Sequence, residues 1–259
     1  MSVLDSIIEG VREDLAARRL PLAQIQERLT QAAPVIDAHL PLLASPMNII
    51  AEVKRASPSK GALAEIASPL DLARRYEDAG AAVISVLTER RRFSGSLEDL
   101  EAVRAGVSIP LLRKDFMVDE YQFYEARAAG ADVILLIVAA LSKNQLRDYY
   151  DLATELGMAA LVEVHTHQEV EDALEINPRI IGVNARNLKT LEIDLAAFTE
   201  LIPEIPEAII RVAESGISER SEVEIAQSAG ARAILVGETL VRSGDPKAKI
   251  DALLGTSRG

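Results

Sequence analysis

Side chains that can transfer protons stand at the ends of several short apolar segments. The first case is IIAEVKRASPSKG at residues 49–61. A strand period of two directs Glu52 and Lys54 to the same face. Burying a carboxylate and an ammonium there is costly unless they have a partner or a function. Alone, the pair is compatible with either an ion pair at a strand end or the edge of an active site.

Similar groups follow the later apolar segments. The candidates for acid–base chemistry are Lys54, Lys114, Glu52, Glu163 and Glu214. Lysine and glutamate side chains at close quarters push their pKa values apart, so that one site holds an acid and a base near neutral pH. If these segments are the parallel strands of a barrel, as argued below, their ends meet on one rim, and we expect these groups to converge there.

Two glycine turns predict where an anion binds. Ser215-Gly216-Ile217 and Val236-Gly237-Glu238 each place a glycine just after an apolar segment. Backbone N–H groups at such positions bind phosphate in barrels of this kind, and Ser57 could add a hydroxyl. The alternative is that both glycines only form tight turns.

The remaining polar motifs predict less. His165 and His167 form an H-x-H pair, but no third metal ligand accompanies them, so we expect no metal site. His39 is interpreted as structural. The basic run at residues 90–92 is interpreted as a solvated loop.

Eight apolar segments alternate with helical patterns and must position these groups. They begin at Ile49, Ala82, Ile109, Asp132, Ala159, Arg179, Ala208 and Arg232. Strands apolar on both faces and separated by helices indicate a parallel sheet covered by helices. Eight units favour a (β/α)8 TIM barrel over an open doubly wound sheet. The glycine fingerprint of a doubly wound Rossmann fold is also missing after the first strand. Ala-Gly-Ala at residues 79–81, 129–131 and 229–231 predicts helix ends.

The first 45 residues have a different pattern. Apolar residues recur at helical spacing before and after Pro21: Leu4, Ile7, Ile8, Val11, Leu15, Leu22, Ile25 and Leu29. Such a segment is too short to bury its own core. We therefore predict one barrel domain over residues 1–259, with residues 1–45 as a two-helix N-terminal extension.

Composition excludes several classes of partner. The net charge of −12 disfavours nucleic acid and anionic membranes. The absence of cysteine excludes disulfides and thiolate chemistry. The N-terminus does not match a secretory signal, and the apolar run at residues 133–141 is too short to cross a bilayer. We expect a cytoplasmic protein, monomeric or weakly oligomeric.

The motifs occur in the order found in one enzyme family. AEVKRASPSKG, SVLTE with FSGS, LLRKDF, DVILLIV, LVEVH, IGVNARNLKTLEID, VAESGI and ILVGETLVR resemble indole-3-glycerol-phosphate synthase over the whole barrel. The resemblance implies a (β/α)8 enzyme of tryptophan biosynthesis that uses no metal and no cofactor. It closes the ring of 1-(2-carboxyphenylamino)-1-deoxyribulose 5-phosphate and releases carbon dioxide and water.

The resemblance also implies roles for individual residues. Lys114 matches the general acid, Glu163 matches the acid–base group of dehydration, and Lys54 shares proton transfers. Glu52 and Asn184 position these groups, while Glu214 and Ser215 match further catalytic positions. The residues implied in substrate binding are Ser57, Phe93, Phe116, Leu135, Ile137, Arg186, Leu188, Gly216, Gly237 and Glu238.

Several of these assignments have alternatives. Leu135 and Ile137 could be ordinary core residues rather than a pocket wall. At Glu238, where some relatives carry a small residue, only the backbone N–H is expected to contact phosphate. Arg186 is expected to bind the ring carboxylate. Two other functions remain open, namely a phosphoribosylanthranilate isomerase, which needs a Cys or Asp base, and a barrel that binds a sugar phosphate without turnover.

Overall fold

A computed structural model describes residues 2–256 of the chain. Met1 and residues 257–259, at the ends of the predicted domain, lie outside the described residues. Eight parallel strands form a closed barrel, in which each strand pairs with the next along the barrel and the last pairs with the first. They are β1 Asn48–Val53, β2 Val83–Leu87, β3 Leu111–Lys114, β4 Val133–Ile137, β5 Ala159–Val164, β6 Ile180–Asn184, β7 Ile210–Glu214 and β8 Ala233–Val236. The predicted TIM barrel is confirmed.

Helices α1–α3 come before the first strand, α4–α10 lie between successive strands, and α11 and α12 follow the last strand. Their bounds are α1 Val3–Arg18, α2 Leu22–Gln31, α3 His39–Leu43, α4 Pro69–Asp78, α5 Leu97–Arg104, α6 Tyr121–Ala128, α7 Lys143–Glu155, α8 His167–Leu174, α9 Ala196–Leu201, α10 Arg220–Ala229, α11 Glu238–Val241 and α12 Pro246–Leu254. Gly80, Gly130 and Gly230 have the positive φ predicted for helix ends. A short hairpin pairs Ala56–Ser57 with Gly61–Ala62 in the loop after β1.

Apolar residues form two main clusters. One lies between the strands and the surrounding helices. The other fills the barrel interior, where Ile50, Leu112 and Val212 pack among inward-facing residues. Leu4 and Ile7 of α1 belong to this second cluster, so the N-terminal helix extends the interior core at the rim of the barrel.

The N-terminal extension contains a third helical segment that the sequence did not predict. Pro41 lies inside this five-residue helix, α3. Proline is tolerated there because the N–H groups of a first helical turn have no partner within the helix. No helix within residues 2–256 is long and apolar enough to span a membrane.

Interpreting the basic run at residues 90–92 as a solvated loop was only partly right. The Arg91 guanidinium pairs with Glu13 and Asp14 of α1, at 2.7 and 2.6 Å. Arg92 donates to the Ser6 hydroxyl at 3.1 Å. These side chains stay partly exposed, but they join the loop after β2 to the extension.

Candidate active site

A cavity of about 360 Å³ opens at the C-terminal end of the strands. This volume lies within the range of small-molecule sites. All seventeen predicted site residues line it: Glu52, Lys54, Ser57, Phe93, Lys114, Phe116, Leu135, Ile137, Glu163, Asn184, Arg186, Leu188, Glu214, Ser215, Gly216, Gly237 and Glu238.

Lys114 lies at the centre of the charged groups. Its Nζ atom is 2.7 Å from Glu163 Oε2 and 2.7 Å from Glu214 Oε2. Glu52, Lys114, Glu163 and Glu214 come from β1, β3, β5 and β7, and alternate strands supply the layers of side chains inside such barrels. The fold therefore brings together groups that lie far apart in the sequence.

Lys54 and Glu52 form a second ion pair in the cavity. Lys54 Nζ lies 2.7 Å from Glu52 Oε1, and the Ser85 hydroxyl donates to the other Glu52 oxygen at 3.4 Å. The predicted common orientation of the two side chains is thus observed. Because both also face the cavity that contains Lys114, the pair belongs to a larger charged site.

The two carboxylates that contact Lys114 differ in protonation. Burial opposes ionisation of Glu163, but the Lys114 ammonium and the His165 imidazole outweigh it and hold the pKa of Glu163 well below its usual range. Burial raises the pKa of Glu214 to about 7, against the pull of Lys114. The same carboxylates outweigh the burial of Lys114 and raise its pKa. The site thus holds a charged ammonium, a firmly ionised carboxylate and a carboxyl that titrates near neutrality.

Two glycines leave room for the buried carboxylates. A Cβ atom at Gly182 would stand 2.0 Å from Glu214 Oε1, and one at Gly237 would stand 2.4 Å from Glu52 Oε1. Sequence reasoning missed Gly182 and considered Gly237 only as a phosphate contact. Side chains at either position would displace a charged group of the site.

The loops after β7 and β8 meet at one side of the cavity. Ser215 and Gly216 have φ values of 67° and 77°, and Gly237 precedes α11. The Thr239 hydroxyl donates to the carbonyl of Ile217 at 2.9 Å and holds the two loops together. With Ser57 on the same cavity, this is the arrangement predicted for a phosphate seat.

The carboxylate of Glu238 forms ion pairs that its sequence position did not indicate. Its Oε1 atom lies 2.8 Å from Lys60 Nζ, in the loop after β1, and 3.6 Å from Arg242. The carboxylate is therefore paired with cations at the edge of the cavity. Lys60 also lines the cavity and was not among the predicted residues, although SPSKG contains it.

Apolar side chains form another part of the cavity lining. The rings of Phe93 and Phe116 lie 6.3 Å apart between centroids, at an interplanar angle of 40°. Leu135, Ile137 and Leu188 complete the predicted lining. Sequence reasoning missed Val3, Leu4 and Ile7 of α1, which also line the cavity. Their helical spacing gave the only signal, and that spacing did not show which surface they would cover.

Arg186 reaches the cavity from the loop after β6. Its Nη1 atom donates to the carbonyl of Leu191 at 2.9 Å and to the Ser59 hydroxyl at 3.2 Å. Asn184 Oδ1 accepts the Arg186 backbone N–H at 3.0 Å. Asn184 thus fixes the start of this loop, and the guanidinium lies where an anionic group could be bound.

The two histidines of the H-x-H motif separate in space. His165 is partly buried and lies between Glu163 and Glu169, whereas His167 is exposed and pairs with Glu204 at 2.7 Å. Among residues 2–256, no group of three or more His, Cys, Asp or Glu side chains could hold a metal ion. His39 contacts Asp37 Oδ1 at 2.7 Å in the extension, away from the cavity.

Comparison with known proteins identifies the family. A family model described as indole-3-glycerol phosphate synthase matches residues 4–253. The indole-3-glycerol phosphate synthases of Mycobacterium sp. (strain KMS) and Rhodococcus jostii (strain RHA1) are each 56% identical to this chain. They cover 98% of it and 94% and 95% of their own lengths, respectively. The chain belongs to the indole-3-glycerol phosphate synthase family. This family comprises lyases of tryptophan biosynthesis, EC 4.1.1.48.

Solved structures outside the family share the fold. The 3-hexulose-6-phosphate synthase of Salmonella typhimurium has a TM-score of 0.65 at 13% identity, covering 82% of this chain and 100% of its own. The thiamine phosphate pyrophosphorylase of Pyrococcus furiosus has a TM-score of 0.62 at 14% identity, covering 81% and 95%. At such identities the likeness concerns the barrel alone, so the indole-3-glycerol phosphate synthase assignment rests on sequence.

Proposed function

We propose that this chain converts 1-(2-carboxyphenylamino)-1-deoxyribulose 5-phosphate into indole-3-glycerol phosphate, carbon dioxide and water, with Lys114 as general acid and Glu163 in acid–base dehydration. The contact of one buried ammonium with two carboxylates inside a barrel-top cavity carries the proposal. Membership of the family supports the reaction.

Ring closure requires an electrophilic ketone. Hydrogen bonding from the Lys114 ammonium to the ketone oxygen draws electrons from the carbonyl carbon, and the electron-rich ring carbon then attacks it. The raised pKa of Lys114 keeps the ammonium charged at neutral pH. Loss of carbon dioxide from that ring carbon restores the aromatic ring.

Dehydration requires one proton to be delivered and another to be removed. Glu163 exchanges protons with the hydroxyl that leaves as water, and Lys54 takes part in these transfers with Glu52 beside it. Glu163 is ionised in the empty site, so it must take up a proton before it can act as an acid. Glu214 titrates near pH 7 and contacts the same ammonium, which makes it a further proton reservoir.

Substrate binding divides between two sides of the cavity. The phosphate takes the side formed by Ser57, Ser215, Gly216 and Gly237, and the anthranilate ring takes the apolar wall that includes Phe93 and Phe116. Arg186 binds the ring carboxylate as an ion pair. In this orientation the ketone faces the charged residues between the two sides.

Replacing Lys114 by alanine tests the proposal. We expect kcat to fall by a factor of about 100 to 10,000, with a modest change in KM, because the ammonium acts mainly in the transition state. Turnover is followed by the fluorescence of the indole product, which is easily detected because the chain contains no tryptophan. Lys143→Ala, which removes an exposed lysine paired with Asp172 and Glu175, is the matched control.

The same assay separates the alternatives. A sugar-phosphate sensor would bind the substrate without producing indole. An isomerase would consume phosphoribosylanthranilate instead, but such enzymes need a Cys or Asp base, and the aspartate that lines this cavity, Asp115, is held by Arg113 and Thr88. Wild-type kcat in Lys114→Ala would contradict the role given to Lys114.

A further inference from the structure

His165 is a partly buried histidine that does not line the cavity but stands behind one of its carboxylates. Its Nε2 atom is 3.2 Å from Glu163 Oε1, on the side of Glu163 away from the Lys114 contact. Its Nδ1 atom donates to Glu169 Oε2 at 3.0 Å, and its backbone N–H donates to the same oxygen at 2.8 Å. The imidazole is thus held in place by Glu169 and directed at Glu163.

These three residues form a path from the cavity toward the outside. Side-chain exposure rises from 2% at Glu163 to 10% at His165 and 18% at Glu169. Glu169 lies in the first turn of α8, outside the barrel wall. The separation between Nε2 and Glu163 Oε1 falls within ion-pair range, although the two atoms are not aligned as a hydrogen bond.

The proposed reaction needs a supply of protons. Ring closure adds one proton to the ketone oxygen, and loss of carbon dioxide from the carboxylate requires none. Departure of the hydroxyl as water takes a second proton, and formation of the new carbon–carbon double bond releases one from carbon. One proton therefore enters from solvent in each turnover, while the substrate fills the mouth of the cavity.

We propose that His165, held by Glu169, relays this proton from solvent to Glu163 behind the bound substrate. The inference rests on the proposed function, because it assumes that Glu163 exchanges protons with the substrate. Imidazole suits the task since one nitrogen can accept a proton while the other releases one. The relay acts through Glu163 and needs no contact between His165 and the substrate.

The charges around His165 agree with this role. The groups that face it are Glu163 on β5 and Glu169 on α8, and Lys114 lies one contact further away across Glu163. Burial disfavours the imidazolium, but the two carboxylates outweigh burial and raise the pKa of His165 to about 9. The resting enzyme therefore holds an imidazolium beside an ionised Glu163, and the relay requires the bound substrate to raise the pKa of Glu163.

Single-turnover and steady-state kinetics of His165→Gln test the relay. We expect a 10- to 100-fold lower rate of indole formation with KM unchanged within about twofold, and partial recovery on addition of imidazole. The solvent deuterium isotope effect should rise because proton delivery becomes limiting. Glu169→Gln should slow the reaction in the same direction. His167→Gln, two residues away on the surface, is the control and should behave as wild type.

Two results would overturn the relay while leaving the role of Glu163 intact. One is a His165→Gln enzyme that retains its full rate while Glu163→Gln is inactive. The other is a slow His165→Gln enzyme with an unchanged isotope effect and no response to imidazole, which indicates a structural role. A fully active Glu163→Gln enzyme would instead refute the role of Glu163 under the proposed function, and the relay with it.

Discussion

Two carboxylates contact the same ammonium and yet take different protonation states. Glu163 and Glu214 each lie 2.7 Å from Lys114 Nζ, and both are almost fully buried. Glu163 has His165 as a second cation, whereas Glu214 has burial and the negative charges of Glu163 and Glu52 acting against the pull of Lys114. The second cation therefore favours ionisation of Glu163 over that of Glu214, as expected when neighbouring charges separate the pKa values of a pair.

The titration of Glu214 predicts a pH dependence. Burial raises its pKa to about 7, so the carboxyl is neutral below pH 7 and becomes an anion above it. The added charge opposes binding of a substrate that carries phosphate and carboxylate, so kcat/KM should decline as the pH rises through about 7. The pH at which kcat/KM declines reports the pKa of a group in the free enzyme. Glu214→Gln, which is permanently neutral, should lose the decline, and an unchanged profile would refute the assignment.

The position of a single site residue could be predicted from the sequence wherever a strand end fixed the direction of its side chain. Lys114, Glu163 and Glu214 were predictable because each follows an apolar segment of a recognisable barrel. His165 lies only two residues after Glu163, so its proximity to Glu163 was also predictable. Its second contact was not, because that depends on how the first turn of α8 returns over β5.

At the scale of secondary-structure elements, closely packed strands leave little space for the buried charges. Gly182 on β6 faces the Glu214 side chain, which comes from the neighbouring strand β7. A Cβ atom at Gly182 would stand within 2.0 Å of Glu214 Oε1, so one of the two residues would have to move. Because β6 is paired on both edges, we expect the Glu214 side chain to move rather than the strand.

Replacing Gly182 by alanine should therefore reduce activity through Glu214. We expect kcat to fall about 100-fold, as for displacements near 1 Å, and the free energy of unfolding to fall by about 1–3 kcal/mol. Indole fluorescence and chemical denaturation measure the two effects. Gly244→Ala, where an added Cβ meets no atom within 4 Å, is the control. Adding the shorter Glu214→Asp should restore stability; failure to do so would place the strain elsewhere.

Across the whole molecule, a chain of ion pairs joins the N-terminal extension to the strand that carries Lys114. Arg18 of α1 contacts Glu125 at 2.9 Å, and Glu125 contacts Arg113, also at 2.9 Å. Arg113 is fully buried and precedes Lys114 on β3. Since α1 also supplies Val3, Leu4 and Ile7 to the cavity, these contacts hold part of the cavity wall in place.

Removing Arg18 tests this connection. Arg18→Ala should lower the free energy of unfolding by about 2 kcal/mol because the buried Glu125 loses one of its cations. It should also raise KM several-fold while leaving kcat almost unchanged, because α1 docks less firmly and the charged residues stay in place. Denaturant unfolding and steady-state kinetics provide the readouts. Arg28→Ala, which removes an exposed pair with Glu101, is the control, and an equal effect there would contradict the prediction.

The extension also shows where sequence reasoning ended. Apolar spacing predicted α1 and α2, but the pairing of Arg18 with Glu125 joins residues 107 positions apart. Nothing in a local pattern selects that partner among many acidic residues. The closed barrel was predictable because every strand repeats the same signal, whereas the docking of a single helix depends on contacts that occur once.

The contact between Lys60 and Glu238 has a consequence for selectivity among anions. Any phosphate that draws Lys60 toward itself must first separate it from Glu238, which keeps only the longer contact with Arg242. Inorganic phosphate would meet this cost with no compensation, whereas a ligand that also carries a sugar and an aromatic ring would offset it through the apolar wall. We therefore expect inorganic phosphate alone to bind this cavity weakly.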